Sequence, residues 1–374
     1  MSSIFEVNAG ASLGSWVDPR RKNVEGAAAA SKTSGYRSRA LQVTWEVTNS
    51  NNWKPVRARA AREQQFSTAE GFHLIEQVAE MHVPLLALTG GDPLARPDLL
   101  PLIEFAAERA IRTSLTVLPS ARVEPEMIAE LKSCGLMRLA FWINGPTPGL
   151  NDRFWSMPGL YRRTMEAIGI CHEVQLPVQV NTMLSRSNFQ NLDPMIELLT
   201  RLDVSLWNVF FFVPSKREEA GEMLDADEHE QVFARLYAAS RRANFQIKTT
   251  EGQHYQRYLL QQRVRESRGR LTEETAIPYA PRGVNDGKGF VFINCSGEVY
   301  PSRFLPLSGG NVTRQSLAEV YCESELFVSL RNVSNLKGKC GRCPVRTVCG
   351  GSRARAYVMT GDLFASDPCC AYEP

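Results

Sequence analysis

The sequence predicts an α/β protein: a partial (βα)6 TIM-like barrel over residues 40–250, followed by a small cysteine-rich domain over residues 289–374. Two observations support this fold class. Six short apolar runs alternate with amphipathic stretches, as in parallel βα units joined by right-handed crossovers. Seven of the nine cysteines fall in the last 80 residues. A doubly wound open sheet is the alternative that periodicity leaves open, and both folds place their chemistry at the carboxyl ends of the strands.

The alternating pattern gives each predicted element its place. The six predicted strands are Leu41–Val47, Pro84–Thr89, Thr113–Leu118, Arg138–Ile143, Pro177–Met183 and Leu206–Val213. The predicted helices are Ala69–Met81, Asp98–Ala110, Pro125–Cys134, Tyr161–Glu173, Leu192–Arg201 and Asp227–Ala243. Residues 1–39, rich in Ala, Gly and Ser, are predicted to form a flexible arm. Residues 251–288 are predicted to be a bridging region made of a charged helix and a linker, and Phe290–Asn294 with Glu298–Tyr300 a β-hairpin.

Composition and charge limit the classes of function. The 374-residue chain is 43% hydrophobic and 22% charged, and its net charge of +3 argues against nucleic acid or an anionic membrane as a partner. No apolar run is long enough to span a bilayer, and the N-terminus lacks the apolar segment of a secretion signal. Clustered cysteines in a chain of this kind are typical of metal binding in a reducing compartment, so we expect a cytoplasmic protein.

The spacing Cys340-x-x-Cys343-x5-Cys349, followed after 20 residues by Cys370, predicts a metal centre. A C-x-x-C pair brings two thiolates to one centre from a tight turn, and the two later cysteines complete four ligands. Both zinc and a 4Fe-4S cluster accept four thiolates. Spacing alone therefore leaves the metal undecided.

Two segments resemble a known family. Residues 45–60 read W-E-V-T-N-S-N-N-W-K-P-V-R-A-R-A, and residues 339–374 begin K-C-G-R-C-P-V-R-T-V-C-G-G and end D-P-C-C-A-Y-E-P. They resemble the first strand and loop, and the C-terminal SPASM or twitch-type domain, of radical S-adenosylmethionine (SAM) proteins of a haem-pathway-like branch. The resemblance implies one auxiliary 4Fe-4S cluster on the four cysteines above. Cys370 would be the fourth ligand, with its neighbour Cys369 as the competing candidate.

The first segment departs from the family. Its loop normally holds three cysteines that bind the SAM-cleaving 4Fe-4S cluster, and here those positions are Asn51, Pro55 and Ala58. A cluster iron needs soft thiolate donors, which an amide, a pyrrolidine ring and a methyl group do not supply. We therefore expect that this cluster cannot assemble.

The same resemblance implies a SAM site at the ends of the strands. The residues that it assigns to this site are Gly90, Gly91, Asp92, Asn144, Asn181 and Thr182. Asn144 lies in W-I-N-G, where the family pattern is S-[LI]-D-G, so an indole and an amide replace a hydroxyl and a carboxylate. These changes, together with the missing cluster iron, leave SAM binding in doubt.

Two arginines that follow Cys349 in the sequence have two alternative roles. Arg353 and Arg355 are expected either to donate hydrogen bonds to cluster sulfurs or a substrate carboxylate, or to pair with Asp362 and Asp367. His254 is expected to be a partly exposed loop histidine.

The contrast between the two cluster sites leads to the hypothesis of a pseudoenzyme, a degenerate radical-SAM-like scaffold with one auxiliary cluster. It would bind a small-molecule or peptide substrate, or act as partner of a complete radical SAM protein, in a cofactor, tetrapyrrole or peptide-modification pathway. The alternative is an enzyme that uses the barrel cavity for non-radical, SAM- or cluster-assisted chemistry. A purely structural or electron-transfer module is the third hypothesis, which the size of the barrel argues against.

Overall fold

The computed structural model describes residues 40–49, 65–118, 123–266 and 285–374. Within them, seven parallel strands follow one another across a sheet in chain order. These strands are β1 Gln42–Thr48, β2 Leu85–Gly90, β3 Arg112–Val117, β4 Leu136–Trp142, β5 Val178–Leu184, β6 Leu206–Phe211 and β7 Gln246–Thr250. The six predicted strands are present, and β7 is an additional one.

Strand β7 escapes prediction because its sequence, Q-I-K-T-T, has no apolar run and none of its residues is fully buried. Nζ of Lys248 on β7 donates a hydrogen bond to Oε1 of Gln42 on β1 at 2.9 Å. A bond between the first and the seventh strand requires the sheet to curl, so both side chains lie on its concave face.

The sheet continues beyond β1 into the C-terminal part of the chain. The added strands are β8 Phe290–Ile293, β9 Glu298–Tyr300 and β10 Gly310–Asn311. Strand β8 pairs parallel with β1, and the order is β10-β9-β8-β1-β2-β3-β4-β5-β6-β7. The described sheet is therefore open, because β8 occupies the edge of β1 that β7 would need to close a barrel. The predicted α/β fold with a mostly parallel sheet is confirmed, whereas a partial TIM barrel is not.

The helices lie between the strands and over the C-terminal part. Those between strands are α1 Thr68–Glu80, α2 Leu99–Glu108, α3 Pro125–Ser133, α4 Pro148–Trp155, α5 Leu160–Glu173, α6 Leu192–Arg201, α7 Ala226–Ser240 and α8 His254–Glu266. The others are α9 Leu317–Glu323, α10 Glu325–Arg331, α11 Gly338–Arg342 and α12 Arg353–Thr360. Helix α4 escapes prediction because P-G-L-N resembles a turn. It begins with Pro148 after Thr147, whose hydroxyl accepts from the backbone N–H of Leu150.

Strand residues alternate between two faces of the sheet. Val43, Trp45 and Val47 of β1 are fully buried in the main core against the helices. Helix α1 comes close to this layer at Gly71, where a Cβ atom would lie 2.9 Å from Leu102 and 3.1 Å from Trp45. The alternate side chains of β1, such as Gln42, face the concave side, which forms the lumen of the curved sheet.

The predicted domain division stays a prediction, although β8 joins the sheet that β1–β7 form. Residues 254–266, which lie in the region predicted to be a charged helix and linker, form α8. The N-terminal arm 1–39 and residues 267–284 lie outside the described residues. No described helix combines the length and apolar character that a membrane span needs.

Candidate functional site

The four predicted ligand cysteines line one open pocket in the C-terminal part. Cys340 lies on α11, and Cys343 is the residue at which that helix ends. Cys349 follows a turn, and Cys370 lies close to the end of the chain. Cys369 is buried, with 3% of its surface exposed, and is not among the residues that line the pocket. The structure therefore brings the four predicted cysteines to one place.

The backbone around the pocket presents N–H groups to the sulfur atoms. Gly350 and Gly351 adopt left-handed backbone angles, with φ of 72° and 67°. The N–H of Gly351 lies 3.4 Å from Sγ of Cys349, and the N–H of Asp367 lies 3.5 Å from Sγ of Cys340. Such donors stabilise thiolate charge at iron–sulfur sites.

Gly351 also keeps space open beside a thiolate. A Cβ at this position would lie 2.8 Å from Cβ of Asp367 and 3.4 Å from Sγ of Cys340. Nη2 of Arg353 lies 3.9 Å from the same sulfur, while Nη1 donates to the carbonyls of Leu363 and Ala365. The expectation that Arg353 contacts a cysteine sulfur matches this geometry.

The four cysteines offer thiolates to either kind of centre. Among the described residues, no three His, Cys, Asp or Glu side chains are arranged to hold a single metal ion. Zinc takes four thiolates directly, whereas a 4Fe-4S cluster takes one thiolate at each of its four irons.

Burial raises the pKa of three pocket thiols, Cys343, Cys349 and Cys370, that of Cys370 to about 11. They are protonated at neutral pH without metal, so binding of a cluster releases protons. Three cations offset the charge of thiolates in the same pocket, which are Arg257, Lys339 and Arg346.

Arg257 is a pocket residue that sequence reasoning missed, because its basic segment resembles a solvated helix face. Its side chain is 5% exposed, pairs with Glu230, and donates to Gln261 at 2.7 Å. The guanidinium lies 5.6 Å from the centre of the Tyr372 ring. The available signal was its spacing of three residues from His254, which places both on one side of a helix.

Arg355 forms an ion pair with Asp367, which is the second of the two roles expected for it. Its Nε and Nη2 atoms donate to the two oxygens of Asp367 at 2.9 Å each, and both side chains are fully buried. Although burial opposes it, the Arg355 guanidinium holds the pKa of Asp367 far below its usual range. Asp362 pairs with Lys337 instead, at 2.6 Å.

His254 is fully buried, which corrects the expectation of an exposed loop histidine. It begins α8, which packs against α7, and its ring lies 4.8 Å from that of His229. Burial and the neighbouring His229 lower the pKa of His254 well below its usual value, so the ring is neutral. Neither ring nitrogen has a hydrogen-bond partner among the described residues.

Glu251 and Asp286 form a buried carboxyl pair between the part that contains β1–β7 and the C-terminal part. Ser302 and Ser352 donate their hydroxyls to Glu251 at 2.9 and 2.5 Å. Asp286 accepts the backbone N–H groups at the start of α12 at 2.8 and 3.1 Å. Burial, and then the charge of Asp286, raise the pKa of Glu251 to about 8. The pair thus holds one proton, on Glu251, because the helix start favours a charged Asp286.

The glycine turn predicted to hold SAM follows β2. Gly90 has φ of 155°, and a Cβ there would lie 2.3 Å from Oγ1 of Thr48. This glycine is therefore required by the close approach of β1 and β2. Gly91 and Asp92 follow, and Asp92 precedes the short 3-10 helix Pro93–Ala95 without capping it through its side chain.

Asn144 ties the ends of β4 and β5 together. Its Oδ1 accepts from the N–H of Met183 at 2.7 Å, and its own N–H donates to Oδ1 of Asn151 at 2.9 Å. Its Nδ2 is buried without a partner among the described residues. Asn144 thus combines a structural role with one donor still to be satisfied.

Thr182 makes only bonds within the sheet. Its hydroxyl donates to the carbonyl of Ile143 at 2.7 Å and accepts from Nε1 of Trp207 at 2.9 Å. These bonds use the hydroxyl hydrogen and one lone pair, so Thr182 positions strands. Asn181 lies on the opposite, concave face, where its Oδ1 accepts from Gln179 at 2.7 Å.

Aromatic rings line the carboxyl end of the lumen. The Trp142 ring lies 4.9 Å from that of Phe210 and 6.2 Å from that of Trp155. Phe210 in turn lies 6.3 Å from Phe304. These rings form a cluster separate from the main core. The Trp142 side chain is packed among these rings, with 5% of its surface exposed.

Asn51, Pro55 and Ala58, which replace the three expected cysteines, lie outside the described residues.

Two family profiles match the chain. Residues 55–199 match the Radical SAM superfamily, and residues 285–344 match SPASM, an iron-sulfur cluster-binding domain. The profiles confirm the radical SAM and SPASM parts of the resemblance. They do not support a twitch-type domain or zinc.

Curated relatives cover nearly the whole chain. It is 32% identical to AdoMet-dependent heme synthase of Methanosarcina barkeri over 89% of this chain and 96% of that protein. It is 33% identical to the protein of the same name from Nitratidesulfovibrio vulgaris, over 89% and 92%. Fe-coproporphyrin III synthase of Methanosarcina barkeri is 25% identical over 88% and 87%.

Solved structures share the fold. SuiB of Streptococcus suis bound to S-adenosylmethionine has a TM-score of 0.69 at 13% identity and covers 90% of this chain and 78% of its own. The same protein is also solved with its precursor peptide SuiA, with a TM-score of 0.69. At this identity the likeness shows the fold alone.

These findings contradict the pseudoenzyme hypothesis, because relatives that share 32–33% of their residues over 89% of the chain are named as SAM-dependent synthases. The idea that SAM binding is in doubt is not supported either, because the radical SAM profile spans residues 55–199. The chain belongs to the radical SAM superfamily, among members that carry a C-terminal iron–sulfur cluster-binding domain.

Proposed function

We propose that the chain is a SAM-dependent enzyme of haem formation that acts on a tetrapyrrole with carboxylate side chains. The observation that carries this proposal is the 32–33% identity to two AdoMet-dependent heme synthases over 89% of the chain. The aromatic rings at the mouth of the lumen support it, because a planar macrocycle packs well against aromatic side chains. A peptide substrate has weaker support, since SuiB shares only the fold.

Cys340, Cys343, Cys349 and Cys370 would hold one auxiliary 4Fe-4S cluster, which supplies a one-electron centre when bound. The chain's own contribution is the pocket. The N–H of Gly351 and other donors lie against the sulfurs, and buried surroundings limit the access of water.

The turn after β2 would receive SAM. Asp92 offers a carboxylate to an ammonium group, and the unsatisfied Nδ2 of Asn144 offers a donor at the end of β4. SuiB, which has this fold, is solved with SAM bound.

A second cluster at the first loop has no such support. Asn51, Pro55 and Ala58 do not form a donor set for iron, and no catalytic step is assigned to a cluster at that place. Iron content measures directly whether other residues bind one.

The test begins with protein purified without oxygen, in which iron and acid-labile sulfide are counted per chain. About four irons correspond to the auxiliary cluster, and about eight to two clusters. The protein is then incubated with SAM, a reductant and Fe-coproporphyrin III, and porphyrin masses are recorded. Loss of carboxylate side chains that depends on SAM supports the proposal. An iron-loaded protein that changes neither SAM nor the porphyrin contradicts it. The double variant Cys340→Ser/Cys343→Ser is the control without an auxiliary cluster.

A further inference from the structure

Polar side chains form a continuous row around the lumen from β4 to β1. Residues paired between neighbouring parallel strands lie side by side on one face. Asn181 pairs in this way with Asn208, and Asn208 with Lys248. The row, called the polar belt here, consists of Gln42, Arg138, Gln179, Asn181, Asn208 and Lys248.

Hydrogen bonds connect the first half of the polar belt. Nη1 of Arg138 donates to Oε1 of Gln179 at 3.3 Å. Nε2 of Gln179 donates to Oδ1 of Asn181 at 2.7 Å. Both amide oxygens are therefore occupied by donors of the belt itself.

The second half follows the same pattern. Nζ of Lys248 donates to Oε1 of Gln42 at 2.9 Å. The hydroxyl of Thr250 donates to Oδ1 of Asn208 at 3.0 Å. Each of the four amide oxygens of the belt thus accepts one hydrogen bond and keeps a second lone pair, and Nε2 of Gln42 donates to Thr44. Within the described residues, the Nδ2 groups of Asn181 and Asn208 remain as N–H donors for a ligand.

The polar belt also contains two positive charges, and no carboxylate of the described residues pairs with them. In the part of the chain that the structure describes, the polar contacts of Arg138 and Lys248 are to neutral amide oxygens, and no carboxylate pairs with either. Burial, and then the charge of Arg138, lower the pKa of Lys248 to about 8. Burial, and then Arg112, lower the pKa of Arg138 to about 10. Two neighbouring cations of this kind are stabilised by a bound anion.

The site can be reached from solvent. The Lys248 side chain is exposed to solvent. Many protein atoms nevertheless lie around it, as expected for a residue in the lumen of a curved sheet. Arg138 is 8% exposed and is held in place by its bond to Gln179. An entering ligand would therefore meet an ordered set of donors.

We propose that the polar belt binds a carboxylate of the substrate, with Arg138 and Lys248 as charged donors and Asn181 and Asn208 as neutral ones. The assignment to a tetrapyrrole carboxylate rests on the proposed function, whereas the anion site does not. The SAM carboxylate is the other source of the same chemistry, and the experiment separates the two.

The experiment measures binding of coproporphyrin III and of its tetramethyl ester to the full chain by quenching of tryptophan fluorescence. Arg138→Gln and Lys248→Gln should each weaken binding of the free acid about tenfold, which corresponds to about 1.4 kcal/mol, and leave the ester unaffected. Lys216→Gln, which changes an exposed lysine, is the matched control. Affinity of the wild type for the free acid should fall between pH 7 and 9 as Lys248 loses its proton, and Lys248→Arg should remove this fall.

Four outcomes decide the proposal. Equal binding of the acid by wild type and variants with unchanged melting temperatures overturns it. Loss of SAM binding instead of porphyrin binding in the variants also overturns it. If the wild type binds neither porphyrin, but citrate raises its melting temperature and not that of the Gln variants, the anion site stands and the tetrapyrrole function falls. If a Gln variant fails to fold, the charge-conserving variants Arg138→Lys and Lys248→Arg are measured instead. They must retain binding of the free acid, and loss of that binding counts against the site.

Discussion

Asp367 connects the metal pocket to the buried polar interior. Its side chain accepts from Arg355, from the N–H of Ser352 and from the N–H of Cys369. Its own N–H points at Sγ of Cys340. A single residue therefore holds one ligand loop, one helix start and one buried guanidinium together. The letters D-P-C-C alone do not reveal this role, because every one of these partners except Cys369 lies more than ten residues away.

Asp367→Asn should lower the free energy of unfolding by about 3–5 kcal/mol, because it leaves the charge of Arg355 buried and unpaired. The measurement is urea unfolding of the protein in its metal-loaded form. Asp362→Asn is the matched control, since Asp362 pairs with Lys337 at the surface, and it should cost less than about 1 kcal/mol. Equal effects of the two variants would contradict the structural role of Asp367.

Glu251 should make stability depend on pH. Its folded pKa of about 8 lies above the ordinary value of 4.5, because of burial and then the charge of Asp286. Its contribution to folding is fully present below pH 4.5 and is lost as the pH rises through 8. We expect the melting temperature of the wild type to fall from pH 5 to pH 8 more steeply than that of Glu251→Gln, which imitates the protonated acid. An equal fall in melting temperature for the two proteins would show that Glu251 does not lose its proton between pH 5 and pH 8.

Among the elements, the turn between α11 and α12 is specified by backbone shape. Asn285 donates its side-chain amide to the carbonyls of Cys349 and Gly351 at 3.0 and 2.7 Å, which holds the turn over the pocket. Gly351 has a left-handed φ and close neighbours, whereas Gly361 at the end of α12 has φ of 76° and nothing within 4 Å of a Cβ position. Alanine variants at these two glycines therefore separate the cost of a strained backbone angle from the cost of steric crowding by the added methyl group.

Gly361→Ala should cost only the backbone strain, about 1 kcal/mol. Gly351→Ala should cost more and should also lower the iron bound per chain, because its methyl group would press on Asp367 and approach Cys340. Iron analysis and thermal unfolding of both variants test this. Full iron loading in Gly351→Ala would mean that the turn adapts without disturbing the ligands.

Elements with a clear periodic pattern were predictable, and those whose identity depends on surroundings were not. The helix Leu192–Arg201 was predicted at its observed bounds, because its apolar positions repeat with the helical period. Strand β7 and helix α4 lacked such a pattern. The four ligand cysteines were predictable from linear spacing, whereas the polar belt depends on strands that are far apart in the chain. Its clearest sequence trace is the alternation of Gln179 and Asn181 with valines in β5.

At the scale of the whole molecule, one sheet runs through both the part that contains β1–β7 and the C-terminal part. Strand β1 is bonded to β2 on one side and to β8 on the other, and Glu251 meets Ser302 and Ser352 across the same boundary. Scanning calorimetry of the metal-loaded protein should therefore show a single cooperative transition. Two resolved transitions would indicate that the C-terminal part folds independently.

The pairing of β1 with β8 has a consequence for how the protein is made. Val43 pairs with Leu86, which is synthesised soon after it, and with Val291, which is synthesised almost 250 residues later. At about 5–20 residues per second, the second edge of β1 stays open on the ribosome for roughly 12–50 s. An unpaired, apolar strand edge invites pairing with other chains during that time. We expect the nascent chain to engage chaperones until β8 emerges, and its yield to depend on them.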